Sequence, residues 1–130
     1  MASSRVSRGR RTQVLVAEFF KGAGIFPEAE SIAASLPGRD ILNTPNFAVE
    51  VKARRDFTPI EWAKQAAKNS GEDLPVVVMR PDGLGEENVA SFLAFMTLDR
   101  FTWMVNRIQW LEGELDEHLA DHTNIYDIDG

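Results

Sequence analysis

Phe47-Ala48-Val49-Glu50-Val51-Lys52, reached from Gly38-Arg39-Asp40-Ile41-Leu42 across the turn residues Asn43-Thr44-Pro45-Asn46, is the most informative stretch of this chain. Side chains alternate along a strand, so Glu50 and Lys52 share one face and Val49 and Val51 the other. If residues 40–42 return through a loop of Thr44 to Asn46, with Asn43 opposite Phe47, Asp40 faces Glu50. A tighter loop pairs Asp40 with Val49, and both registers stay open. Facing carboxylates repel unless a cation or a proton lies between them. Carboxylate and carbonyl oxygens suit Mg²⁺ or Mn²⁺, so Asp40, Glu50 and the carbonyl of Val51 are candidate metal ligands. Lys52 then stands beside the metal, able to orient a water or to stabilise charge on a phosphorus, which is equipment for phosphodiester hydrolysis. The plainer alternative is a surface strand whose Glu and Lys face water.

Working outward, Thr58-Pro59-Ile60-Glu61 combines a threonine cap, a proline at the first helical position and a glutamate placed to complete a capping box. The spacing predicts a helix to about Asn69, where Asn-Ser-Gly stops it. Residues 75–79 hold Val76-Val77-Val78, a β-branched run suited to a strand buried on both faces. Upstream, Val16, Phe19, Phe20 and Ala23 recur at helical steps from Thr12, with a stop near Gly22 or Gly24 and a start that could lie earlier, among the arginines. Weaker strand candidates cover residues 28–33 and 91–97. From Leu98, Phe101, Val105, Ile108, Leu111 and Leu115 fall along one helical face. Helix, three strands, helix, two strands and a helix imply an α/β or α+β fold, a mixed sheet flanked by helices.

The chain has 130 residues, 44% of them hydrophobic and 26% charged, with a net charge of −6, which fits one compact domain. With no cysteine, thiolate nucleophiles and cysteine-based metal sites are excluded. No apolar run is long enough to cross a bilayer, and the first dozen residues lack an apolar signal core, so cytoplasmic residence is the default expectation. The charge is uneven: residues 1–12 carry four arginines and no acid, whereas residues 112–130 carry seven acids and no Lys or Arg. This divides the chain into a basic N-terminal arm (1–12), a core (13–115) and an acidic tail (116–130). An acidic total argues against broad electrostatic binding to nucleic acid, but Arg8, Arg10 and Arg11 can still contact phosphates locally.

The Gly-Arg-Asp-Ile and Val-Glu-Val-Lys-Ala-Arg segments resemble the motif of the PD-(D/E)XK nuclease superfamily. With the first helix ending Gly-Ala-Gly, Pro-Glu-Ala-Glu, Thr-Pro-Asn and the later Glu-Trp-Ala-Lys-Gln-Ala, the chain is similar to small phage proteins that resemble archaeal Holliday junction resolvases. The similarity spans roughly residues 8 to 105 and is strongest from 38 to 66. It implies a restriction-endonuclease-like mixed sheet, Mg²⁺-dependent cleavage of four-way or other branched DNA, and a homodimer. It also implies Asp40 and Glu50 as metal ligands and Lys52 as the catalytic lysine. The family's first-helix glutamate corresponds here to Gln13, which supplies a neutral oxygen. Glu18 lies about 140° around the helix from it, so the two cannot point the same way.

Gln65 resembles a glutamine that assists such sites by contacting phosphate or water. Arg39, Arg54 and Arg55 flank the motif and could grip phosphates, with surface pairing to acids as the alternative; of the last two, Arg54 is the better placed, on the Glu50 and Lys52 face if the strand stays regular. His118 and His122 share a helical face but lack the His-Glu-x-x-His pattern of a zinc site, and Gly83 and Gly85 lack the Gly-Lys-Ser/Thr of a phosphate loop. Phe101, Trp103 and Trp110 read as core or dimer surface. The rival functions are a nuclease of duplex or single-stranded DNA and a noncatalytic DNA-binding module on the same fold.

Overall fold

A computed structural model describes the backbone of residues 2–32 and 39–127, and the side chains of residues 7–32 and 39–120. Gly38 and the end of the first strand candidate lie outside the described residues. Helix α1 spans Ala2–Ala23, so its start lies within the arginine-rich segment, the earlier of the two starts the sequence allowed. Arginine is a good helix former, so a run of them can continue a helix. Thr12 is buried inside α1 and donates its hydroxyl to the Arg8 carbonyl at 2.8 Å. The stop falls where expected: Gly24 has φ +77°, and its N–H bonds the Lys21 carbonyl at 3.0 Å.

Strand β1 (Glu30–Ser31) pairs antiparallel with β2 (Ile41–Leu42), placing Ser31 opposite Ile41. Strands β3 (Phe47–Lys52), β4 (Leu74–Met79) and β5 (Leu93–Phe95) form a mixed sheet in that order, with β3 and β4 parallel and β5 antiparallel to β4. Parallel neighbours need a crossover, and helix α2 (Pro59–Asn69) supplies it. Pro59 does sit in the first turn of α2, but Thr58 makes no side-chain cap hydrogen bond, so the expected capping box does not form. At the β2–β3 turn, Asn43 and Asn46 adopt φ of 63° and 73°, values that asparagine tolerates better than most residues. Buried Thr44 donates its hydroxyl to the Phe47 carbonyl at 2.9 Å and closes that turn.

The alternation read from the sequence is what builds the core. Val49, Val51 and Val78 pack with Val16 and Ala17 of α1 on one side of the sheet. On the other, Val77 and Met79 pack with Trp62 and Ala66 of α2. The structure is therefore a small mixed sheet flanked by helices. Trp62 is the largest side chain of the second cluster, touching Phe57 edge-on at 5.8 Å. Trp62→Ala is expected to lower unfolding free energy by about 3–5 kcal/mol, measured by urea denaturation, because the cavity it leaves is walled by strand residues that cannot collapse into it.

Two short 3₁₀ turns, Glu86–Ser91, precede β5. Helix α3 (Leu98–Asp127) forms a unit of its own, separate from the unit Met1–Thr97. This corrects the sequence division in two ways. The boundary falls at 97/98 and not at 115, and residues 116–127 continue a helix where a tail was expected. The core reading of Phe101, Trp103 and Trp110 also fails, since all three are exposed. No helix among the described residues is long and apolar enough to cross a membrane.

Candidate metal centre

Hydrogen bonds fix which way the backbone of β3 points. The Asn46 and Lys52 carbonyls accept from Leu74 and Arg80, each at 2.8 Å, so the even residues of β3 turn their peptide groups toward β4. Peptide groups alternate along a strand, and those of Phe47, Val49 and Val51 therefore face the opposite edge. That edge is where Asp40 attaches. Its N–H donates to the Val49 carbonyl at 2.8 Å, and its Oδ2 accepts from the Val51 N–H at 2.7 Å. Of the two registers the sequence allowed, the Val49 attachment is the one observed. It is a local clasp: β2 ladders with β1, and Asp40 links it to β3. The Val51 carbonyl projects from the same edge as its N–H, beside the Asp40 carboxylate.

Glu50 and Lys52 lie on the α2 side of the sheet, opposite Val77 and Met79 in register. The Lys52 Nζ stands 5.9 Å from the centre of the Trp62 ring. Asp40, Glu50 and Lys52 are close enough to act on one another electrostatically. Burial pushes the Asp40 carboxyl above its ordinary value, opposed by the Val51 N–H and by Lys52. Burial does the same to Glu50, with Lys52 opposing and the neighbouring Asp40 charge adding to the rise. Glu50 is only 8% exposed, and its Oε2 is buried without a hydrogen-bond partner. A buried acceptor left unsatisfied costs about 1–3 kcal/mol, which a ligand at that oxygen offsets.

The candidate oxygen donors are two carboxylates, Asp40 and Glu50, and the Val51 carbonyl. Among the described residues no three of His, Cys, Asp and Glu gather at one place. Hard oxygen donors of this kind fit Mg²⁺ or Mn²⁺ and exclude a thiolate or imidazole metal.

Other sequence candidates fall elsewhere. Gln13 is carried by α1, which covers the Val49 and Val51 face, opposite the face of Glu50 and Lys52. Gln13 is half-buried and shares the helical face of Val16 and Ala17, which pack on Val49 and Val51. Glu18 is exposed and bonds Lys21 at 3.3 Å. Gln65 is exposed on α2, beside the buried Trp62 and Ala66 stripe rather than within it. His118 is exposed on α3, and the side chain of His122 lies outside the described residues.

Most of the candidate arginines meet acids. Arg39 forms an ion pair with Asp73 at 2.7 Å, Arg54 with Asp56 at 3.3 Å, Arg8 with Asp82 at 3.9 Å, and Arg11 with Glu86. Arg10 lines a shallow groove with Arg11, Val14 and Glu86, apart from Asp40 and Glu50. Arg55 is exposed. Asp73 is the residue that sequence reasoning missed. It precedes β4, whose first residue Leu74 is in register with Phe47, and its bond to Arg39 holds the backbone just before Asp40. The signal available was the turn Asn-Ser-Gly-Glu-Asp ahead of a strand parallel to β3.

Compared with known proteins, no family model matches the chain, and no curated protein or solved structure does.

Proposed function

We infer that this chain is a metal-dependent DNA endonuclease of the PD-(D/E)XK type, with a restriction-endonuclease-like core, acting as a homodimer on four-way or other branched DNA. The observation that carries this reading is the orphaned, buried Glu50 Oε2, on a carboxylate that feels the charges of both Asp40 and Lys52, with Asp40 bonded to the Val51 N–H. Asp40, Glu50 and Val51 would hold Mg²⁺ or Mn²⁺, which supplies Lewis acidity toward a phosphoryl oxygen and toward the attacking water. The rest of the work belongs to the chain. Lys52 places its ammonium where negative charge builds on the phosphorus. Trp62 holds the lysine stem in one place, since its ring lies beneath the Nζ. The Asp40 clasp on Val49 and Val51 keeps the carboxylate fixed relative to the strand, so little reorganisation is needed as the reaction proceeds. DNA as substrate is in keeping with the cytoplasm as the working compartment.

The test is incubation with labelled four-way junction, linear duplex and single strand in Mg²⁺, beside an EDTA control. Paired cuts in the junction, absent with EDTA, are the expected result. Cutting of linear DNA alone supports the broader nuclease reading, and binding without cutting supports the noncatalytic one.

Arg55 is exposed close to the end of β3, whereas Arg54 is engaged with Asp56. An arginine already paired must break that bond to reach a phosphate. Arg55→Ala is therefore expected to weaken DNA binding more than Arg54→Ala and to lower the slope of log K against log salt by about 1, as measured by fluorescence anisotropy across a salt series.

A further inference from the structure

Helix α3 is 30 residues long, and from Leu98 to Leu119 it carries a seven-residue repeat. Leu98, Val105, Glu112 and Leu119 occupy one position of the repeat, and Phe101, Ile108 and Leu115 the position three residues on. Only Glu112 breaks the apolar seam. The seam is open to solvent: Leu98 is 77% exposed, Phe101 48%, Ile108 46%, Leu115 55% and Leu119 51%. The helix also contains Gly113, which costs about 1 kcal/mol in a helix interior. A helix with these features gains its stability from packing an apolar face rather than from propensity.

We propose that α3 pairs with α3 of a second copy of this chain as an antiparallel two-helix coil. Charge sets both the partner and the direction. Residues 98–110 contain Asp99, Arg100 and Arg107, a net charge of +1, whereas residues 111–127 contain Glu112, Glu114, Asp116, Glu117, Asp121 and Asp127 with no Lys or Arg, a net charge of −6. A parallel pair sets six acids against six and Glu112 against Glu112. An antiparallel pair centred near Trp110 sets each acidic half against the other copy's basic half. That alignment stacks Phe101 on Leu119, Val105 on Leu115 and Ile108 on the aliphatic stem of Glu112, with Arg107 of each helix level with the start of the opposite acidic half. The seam period of seven is the one that two helices share along a coil. This pairing does not depend on the reaction proposed above.

The full chain is examined by sedimentation equilibrium and by disulfide trapping, which is clean because the chain has no cysteine. A dimer is expected, weakened at least about tenfold by Ile108→Glu and tightened at least about tenfold by Glu112→Leu. Oxidation of a mixture of the single variants Phe101→Cys and Leu119→Cys is expected to give the mixed disulfide, while neither variant alone crosslinks, since like positions lie about 27 Å apart in the antiparallel pair. A chain that stays monomeric at high concentration, a dimer indifferent to both charge variants, or a Phe101→Cys variant that crosslinks to itself overturns the proposal.

Discussion

Asp40→Asn is expected to lower Mg²⁺-dependent cleavage of branched DNA by at least about three orders of magnitude while leaving the fold in place. The two halves of that expectation have different origins. Asparagine keeps a side-chain oxygen that can accept the Val51 N–H, so the clasp on β3, now made through the Asp40 Oδ2 at 2.7 Å, survives. What it removes is one of the two charges that would hold the cation. Lys52→Met is expected to fall in rate by a similar factor with metal binding retained, because it removes charge stabilisation at phosphorus and leaves all three oxygen donors. Single-turnover cleavage read beside metal-dependent thermal shift separates the two variants. Cleavage by Asp40→Asn at the wild-type rate would remove the site from the mechanism.

The second large effect concerns stability. Asp40 and Glu50 are both raised above their ordinary values, chiefly by burial. A carboxyl raised in the folded state favours folding most when it is protonated, so its contribution is present below the unfolded value and is lost as pH rises through the folded one. The metal-free protein is therefore expected to lose stability from this pair as pH climbs from about 4 toward neutrality. Glu50→Gln removes one of the two charges, and in EDTA at pH 7 the variant is expected to melt higher than wild type, with the gap closing near pH 4. Mg²⁺ reverses the order. A cation bound only by the folded state adds about 2.7 kcal/mol when present at a hundred times its dissociation constant, and only the wild type retains both charges to bind it. Thermal melts of both proteins, with and without Mg²⁺, at pH 4 and pH 7 check all four corners. A wild type that melts identically in EDTA and Mg²⁺ at neutral pH contradicts the account.

The sequence carries its clearest structural information where local chemistry and long-range packing agree. β3 and β4 follow from alternation around Glu50 and from the Val76-Val77-Val78 run, and α2 from Pro59, because burial in the sheet reinforces each local preference. Thr58 shows the reverse: its side chain could have capped α2, yet the turn into the helix leaves it unbonded there. Where α1 starts stayed open because the Arg5 to Arg11 run gives no apolar period, and helical arginines look like a solvated tail when only charge is counted. The extent of α3 was hidden in the same way by its acids.

Around the candidate site, the shared face of Glu50 and Lys52 and the nearness of Asp40 to β3 were legible from strand alternation plus a short turn. The way Asp40 attaches was not. It depends on one side-chain bond to a backbone N–H, which no periodicity encodes. Gln13 rests on the resemblance alone, and neither alternation nor turn chemistry points to it. Asp73 was missed because the turn before β4 marks its place but not its partner, and its pairing with Arg39 joins segments 34 residues apart.

Crystals grown in Mn²⁺ and measured at an energy where manganese scatters anomalously address the cation directly. One anomalous peak is expected within about 2.5 Å of oxygens from Asp40, Glu50 and the Val51 carbonyl, and it should vanish in Asp40→Asn crystals. Density showing Glu50 Oε2 bonded to a protein group, with no peak near Asp40, would contradict the metal centre and the nuclease reading built on it.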